Sequence, residues 1–530
     1  FEDVTLGTAL LLLSSTRSGL EENQRSDAVL VTRALTHLIS DAVIEGRWQG
    51  PYYGGTAPWQ WTGSAAIFDE FLSNGMRIVK YAQCWVFAGL LNSLLRCLGI
   101  PARPVTNISS AHDTDRTLTV DERYIKDSLT DRFRPRSNPD SIWTFHCWNE
   151  AWMERHDLPP GYGGWQACDS TPQERSAGRY QCGPTSVAAI RKGMINYNYD
   201  GWFLFGEVNA DVVKWFYEID FKYPDGLKLL KVDQDTSSVG KCLMTSRRSK
   251  FDEPVIITDC YKPQEGSEQE RTVIRDAIRE EVTTNRENML ELYDIKTEKS
   301  EPDIQFQLCD IEKIKLGDTI ESKLEIVNGC AEQHDAQIHM TLSIVRYNGV
   351  VDCRIATVDD TITIGGFKRQ TLRITAAGES YMDKVGANST MMVEATANIS
   401  ELNQWFSDRD TFLIEKPDIY IDVTRVGSCT FPAIKEPEEV FKNIPSTTRI
   451  YFKNPVNMIL TDCSLTVEGC SISKPVSVSI DEEIPGCGSF DVLFTFIPRR
   501  SGKRSLLAVF SSNEISDIRG RIEFDVSDDA

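Results

Sequence analysis

Apolar and polar positions alternate differently in the two halves of the chain. Up to about residue 290, helical and extended patterns mix with tryptophan, glycine and proline punctuation, as in an α/β enzyme core. In Tyr81 to Pro101, YAQCWVFAGLLNSLLRCLGIP, the residues Val86, Leu90, Leu91, Leu94, Leu95 and Leu98 recur at helical spacing. Gly99 and Pro101 end that helix. The aromatic-rich run SIWTFHCWNEAW reads as a buried strand. Thr272 to Leu292 is amphipathic and charged, a closing helix, and the polar KTEKSEPD at Lys296 to Asp303 is a linker. Beyond it come short, alternating, β-branched segments at Thr319 to Val327, His339 to Val345 and Thr371 to Thr375, separated by Gly, Asn and Asp turns. That pattern predicts an antiparallel β-sandwich. A second unit starts near Pro417, with strands near Arg449 to Phe452 and Leu506 to Phe510. The two units share length and rhythm without a strict repeat. The expected division is a core at 1–292, a linker at 293–303, and sandwiches at 304–414 and 415–530. Small sandwiches bind or position more often than they catalyse, so the chemistry is expected in the first half.

Composition narrows the picture. A chain of 530 residues exceeds one core and predicts about three or four domains. Its 41% hydrophobic and 25% charged residues are ordinary for a globular protein. The net charge of -21 argues against nucleic acid, whose phosphates would be repelled. It suits a collector of divalent cations, although a solvated acidic surface is the commoner cause. Fourteen cysteines are scattered without a CxxC pair, which favours reduced thiols in a cytosolic setting. No apolar run is long enough to span a bilayer, and Ala9 to Leu13 is a short helix core. The chain starts at Phe1 rather than Met, so a portion ahead of it is expected and no signal peptide is seen.

Candidate chemistry gathers in the first half. Cys84 falls at the start of its helix, where unpaired N–H groups and the dipole favour thiolate. A single cysteine in an apolar helix is more often core packing, as Cys97 is expected to be. His146, in the buried strand, is either a satisfied core residue or a general base, and the chain has only six histidines. Asp169 follows a Gly-rich turn and a short strand in GYGGWQACDSTPQE; it either caps the turn at Ser170 to Pro172 or orients an imidazole. The order Cys, His, Asp follows the papain-like pattern.

YAQCWVFAGLLNSLLRCLGIPARPVTNISSAHDTD, FHCWNEAWM and GYGGWQACDSTPQERSAGRYQCGP closely resemble the animal transglutaminases, and the resemblance runs over the whole chain. It implies an α/β (α+β) papain-like cysteine-enzyme core followed by two C-terminal antiparallel β-sandwiches of immunoglobulin-like type. The family's N-terminal β-sandwich is expected to be absent or cut away. The implied reaction is attack of Cys84 on a protein glutamine carboxamide, loss of ammonia, and capture of the thioester by lysine or another primary amine. His146 would move protons and Asp169 would orient it. Trp48, in EGRW, and the backbone N–H of Cys84 would be the oxyanion donors. Trp143 would line the amine tunnel with Trp48 and keep water from the thioester. Tyr347, in VRYNG, matches a tyrosine that bonds the resting cysteine, so the first sandwich would cover the site. Ala82 replaces the family's usual glycine.

The resemblance also implies calcium. Asn209, Asp211, Glu265 and Glu270, with a carbonyl near Thr236, match one site; Asp113, Asp115, Thr119 and Asp140 match another. On its own, QEGSEQE reads as a solvated surface turn. Thr117 stands where the family tends to have asparagine, which weakens the second site. A third family site keeps only Asp41 in LTHLISDAVIEG, and no calcium is expected there. DIEKIKLGDTIESK lacks the arginines of nucleotide-inhibited relatives, so nucleotide binding is not carried over. Expected partners are glutamine- and lysine-bearing proteins or small amines, with no nucleic acid and no integral membrane segment. The expected compartment is the cytoplasm, with release to the extracellular space as the variant. A catalytically silent scaffold of the same fold and a related cysteine hydrolase, such as a deamidase, are the alternatives.

Overall fold

The computed structural model describes residues 3–61, 63–136, 138–247, 250–281, 302–385, 390–424, 440–454, 456–469, 473–480 and 482–528. The Cys84–Cys97 helix forms where the apolar spacing places it. Val86, Phe87, Leu90, Leu91, Leu94 and Leu95 are buried, and Gly99 follows in the left-handed region (φ +84°). Its buried face meets the helices Asp3–Ser14, Ala28–Leu38 and Ser64–Ser73. Asp27 caps the second of these by accepting the N–H groups of Val29 and Leu30.

The same helix packs on a six-stranded antiparallel sheet. Its order is Cys182–Ser186, Gly164–Asp169, Ser141–Met153, Ala102–His112, Cys242–Arg247 and Lys250–Ile256. The long strand Ser141–Met153 is flanked on both edges, which explains its near-continuous apolar reading. Its register sets His146 opposite Asn107 and Asn149 opposite Cys168. A second cluster, with Trp148, Phe203, Phe205, Tyr261, Ile274 and Ile278, is built from this sheet and the helices Gly201–Asn209 and Glu268–Glu281. The expected closing helix therefore starts earlier than Thr272; its end, and the expected linker up to residue 301, lie outside the described residues. A four-stranded sheet, Leu227–Asp235, Asp211–Ile219, Thr119–Lys126 and Phe133–Arg136, contains one parallel pairing, that between the middle two.

From Ile304 onward the described residues are mostly strands; the first predicted segment is shifted by one residue and the others extend by a few at their ends: Ile320–Asn328, His334–Val345, Arg369–Ala376, Ser446–Lys453 and Gly502–Ser511. Each C-terminal unit pairs a three-stranded with a five-stranded sheet. Numbered within each unit, the strand orders are the same, 1-3-6 and 2-8-7-4-5. The shared rhythm thus reflects one topology used twice.

The first sandwich is anchored on the core. Trp405 joins Tyr124, Phe133 and Phe216 in an aromatic cluster, and Arg409 pairs with Glu122. Lys214 Nζ donates to the Ser407 carbonyl (2.8 Å), and Thr396 Oγ1 to that of Phe133 (2.8 Å). These contacts fix where the turn carrying Tyr347 can reach. Among the described residues no helix is long and apolar enough to cross a membrane.

Candidate active site and cation clusters

Gln83 is extended (φ −133°, ψ 180°) just ahead of the helix, which leaves the Cys84 N–H among the donors that helix geometry cannot pair. That N–H donates to Tyr347 Oη (3.2 Å), and Trp48 Nε1 donates to the same oxygen (2.7 Å). Tyr347 is carried by a tight turn between the strands His334–Val345 and Val351–Ile364. Arg346 N–H bonds Val350 O (2.9 Å) and Gly349 N–H bonds Arg346 O (2.8 Å). The turn is stitched to the strand of His146 by Thr144 N–H donating to Tyr347 O (2.6 Å). Gly349 adopts φ +79°, and a Cβ there would stand 2.4 Å from the Ile142 carbonyl oxygen, so only glycine permits this approach. Cys84, Trp143 and Tyr347 form a buried cluster bordered by Trp48, Trp85, Phe145 and Cys147. Trp48 and Trp143 meet edge-on at 6.2 Å, and Phe145 stacks on Tyr347 at 5.0 Å.

His146 is fully buried. Its Nε2 lies 2.8 Å from Asp169 Oδ2 and 3.5 Å from Glu207 Oε1. Asp169 sits at the end of its strand and does two things at once: Oδ1 accepts the Thr171 N–H (2.8 Å) while Oδ2 faces the imidazole. The Gln173 amide lies 2.9 Å from His146 Nε2 and donates to Asp169 Oδ2 (3.1 Å) and Glu207 Oε1 (3.1 Å). Burial opposes an imidazolium here, but the Asp169 and Glu207 carboxylates outweigh it and raise His146 to about 9. Burial pushes Glu207 up to about 8. The other ring nitrogen, Nδ1, is buried and has no hydrogen-bond partner among the described residues. Cys84 therefore does not hydrogen-bond it, although both residues border Trp143, whose ring lies 4.9 Å from the imidazole.

The expectation of a thiolate at Cys84 needs correction for this arrangement. Burial, helped by the neighbouring Cys147 thiol, pushes Cys84 well up, so the resting sulfur is protonated despite its place at a helix start. Gln173 and Glu207 were not singled out from the sequence. The signal for Glu207 was available: one carboxylate inside the apolar stretch WFLFGEV.

Of the two acidic sets, one converges. Carboxylate oxygens of Asp113, Asp115 and Asp140 lie within 4.8 Å of one another. Asp113 accepts the N–H groups of Asp115 (3.1 Å) and Leu118 (2.7 Å). Asp140 accepts the N–H of Thr114 (3.0 Å), its hydroxyl (2.6 Å) and the N–H of Asp121 (3.1 Å). Burial, with Asp115 and Asp140 close by, pushes Asp113 up to about 7. The Thr119 hydroxyl lies 2.7 Å from Thr117 Oγ1, which itself reaches Asp113 Oδ1 (3.5 Å), and 3.3 Å from Asp121 Oδ1. Three facing carboxylates in an all-oxygen loop fit a hard divalent cation.

The other set is closed by a side chain. Arg271 Nη1 holds Asp211 through both carboxylate oxygens (2.9 and 2.8 Å), and Arg271 pairs with Glu270 through Nε (2.6 Å) and Nη2. Glu265 is taken by Lys262 (2.5 Å), and Gln234 donates to Asp211 (2.8 Å). Asn209 donates to Phe205 O (3.2 Å), and its buried Oδ1 has no partner among the described residues. In this arrangement Asn209, Asp211, Glu265 and Glu270 do not fit a calcium ion, because a guanidinium already supplies the charge. Asp41, where no calcium was expected, lies near Arg17 (3.8 Å) and His37 (3.9 Å).

Comparisons with known proteins identify the family. A family profile described as "Transglutaminase-like superfamily" matches residues 62–170, the stretch that contains Cys84, His146 and Asp169. The hemocyte protein-glutamine gamma-glutamyltransferase of Tachypleus tridentatus is 36% identical over 542 residues, covering 100% of this chain and 66% of that protein. Protein-glutamine gamma-glutamyltransferase E of Bos taurus is 34% identical over 515 residues, covering 95% of this chain and 70% of that protein. The crystal structure of red sea bream transglutaminase superposes with a TM-score of 0.80 at 29% identity, covering 99% of this chain and 73% of that one. The chain thus spans roughly two thirds of the length of the curated relatives it matches. With identity above 30% over nearly all of its length, the chain belongs to the transglutaminase family of protein-glutamine gamma-glutamyltransferases.

Proposed function

We propose that this chain transfers the acyl group of a protein glutamine, through a thioester on Cys84, to lysine or another primary amine, and that it does so under control of calcium. One observation carries the reading: two N–H donors, Trp48 Nε1 and Cys84 N, converge on a single oxygen, Tyr347 Oη. A pair of donors aimed at one oxygen beside a cysteine is what stabilises the oxyanion of acyl transfer. The phenol oxygen stands in for that oxyanion, so the same contact that marks the site also closes it.

Once Tyr347 withdraws, Cys84 Sγ attacks the carboxamide carbon and the carbonyl oxygen takes the place of the phenol oxygen. His146 is the base that accepts the thiol proton and returns it to the departing ammonia. Nδ1 is the nitrogen for this task, since Nε2 is held by Asp169. With His146 raised to about 9, the fraction of enzyme whose imidazole is neutral takes the thiol proton, and the imidazolium formed keeps it for the leaving group. The amine then attacks the thioester carbon, gives a proton to His146, and expels the Cys84 thiolate. The Trp48 and Trp143 rings wall the reacting atoms from water, which favours transfer over hydrolysis. Calcium held by Asp113, Asp115 and Asp140 would supply positive charge to three facing carboxylates and takes no part in the acyl transfer.

A glutamine peptide and a fluorescent amine test the reading. Wild type incorporates the amine with calcium; EGTA and Cys84→Ala each reduce incorporation at least ~1000-fold, as loss of a covalent nucleophile does. Ammonia release without incorporation would indicate the hydrolase instead, and neither product would indicate the scaffold.

A further inference from the structure

A second cysteine–imidazole–carboxylate row lies in the first sandwich, in the turn between the strands Ile320–Asn328 and His334–Val345. Cys330 Sγ is 3.4 Å from His334 Nε2, and His334 Nδ1 is 3.1 Å from Glu401 Oε2. The turn is held firmly. Asn328 Nδ2 donates to the carbonyls of Glu332 (2.7 Å), Ile364 (3.1 Å) and Gly365 (3.2 Å), and its Oδ1 accepts the Cys330 N–H (2.9 Å). Phe367 N–H bonds the Cys330 carbonyl (2.9 Å), and a Cβ on Gly366 would lie 2.0 Å from Ala331 O, so this second turn can sit against the first only with glycine. His334 is buried, Cys330 is partly exposed, and the Glu401 side chain is 70% exposed.

The order of the contacts decides their chemistry. A carboxylate on Nδ1 takes the N–H there and leaves the lone pair on Nε2, facing the thiol. The imidazole can then accept the thiol proton, and Glu401 balances the imidazolium that results. Asn328 Oδ1 (3.1 Å) and Glu332 O (3.8 Å) also face the sulfur and accept the S–H while it is present, but neither takes the proton away. Partial exposure admits a small reagent. Such a thiol meets the conditions for reactivity that a buried packing cysteine does not.

We propose that Cys330 is a peroxide-oxidisable thiol activated by His334 and Glu401. The thiolate sulfur attacks one oxygen of hydrogen peroxide; the S–O bond forms as the O–O bond breaks. The hydroxide that leaves takes the proton from His334 Nε2 and departs as water. Sulfur is oxidised by two electrons to the sulfenic acid, and the peroxide is reduced by two.

The test uses the full chain, limiting hydrogen peroxide and dimedone, with each cysteine followed by peptide mass spectrometry. Cys330 is labelled at least ~10-fold faster at neutral pH than Cys260 and Cys487, which are more exposed. Glu401→Gln, at a largely exposed position, and His334→Gln each bring the Cys330 rate down to theirs without changing the rates at Cys260 and Cys487. Labelling of Cys330 no faster than Cys487 overturns the proposal, and so does an unchanged rate in Glu401→Gln, since exposure alone would then explain the reactivity.

Discussion

The two acidic sets in the core use the same residue types and reach opposite electrostatic solutions. At Asp113, Asp115 and Asp140 the charges face one another, and Asp113 is pushed up to about 7. At Asp211 and Glu270 the charge is answered from within the chain, by the residue immediately after Glu270. Carboxylates left facing one another repel and are pushed up; carboxylates clasped by arginine have their charge balanced within the chain. A count of Asp and Glu does not separate these cases, and the position of one guanidinium does.

Arg271→Gln should have the largest effect on this contrast. It leaves Asp211 and Glu270 buried without their cation, at a cost of about 3 kcal/mol, the low end for a broken buried pair because the arginine side chain is 25% exposed. Thermal unfolding in EGTA should fall accordingly, and added calcium should raise it by more than in wild type. An unchanged midpoint would mean that the clasp is not the cluster's charge balance. Asp115→Asn comes next. It removes one of three converging charges at an exposed position, so titration calorimetry should show calcium affinity lower by about tenfold, or ~1.4 kcal/mol, with little change in the calcium-free midpoint. Equal affinity would remove Asp115 from the ligand set. Asn209→Ala should matter least, about 0.5 kcal/mol by denaturant titration, because one hydrogen bond is lost and one orphaned acceptor goes with it. A loss as large as that of Arg271→Gln would place Asn209 in the framework of the cluster.

How legible each feature was follows from its range along the chain. The Cys84 helix could be read because Val86 to Leu98 carries its own periodicity and its own stop at Gly99. The strand of His146 could be read for a similar local reason. Tyr347 could not be reached that way: it lies 263 residues from Cys84, nothing in VRYNG announces a contact, and only the resemblance to a family pointed to it. The common strand order of the two sandwiches was hidden because alternation reports which face a residue takes and not which strand lies next to it. Arg271 stood in plain view beside Glu270, yet sequence carries no rotamer, and the direction of that side chain separates an open carboxylate cluster from a salt bridge. The protonated state of Cys84 was misread for a related cause: the helix dipole is local and visible, whereas complete burial is a property of everything packed over it.

The most direct measurement is of the covalent intermediate. Enzyme mixed with calcium and a glutamine peptide is quenched in acid, and the adduct is weighed and located by mass spectrometry. The account predicts a mass gain of the peptide less ammonia on Cys84, discharged by a primary amine and absent from Cys84→Ala. An adduct on another residue, or amine incorporation by Cys84→Ala, would contradict it.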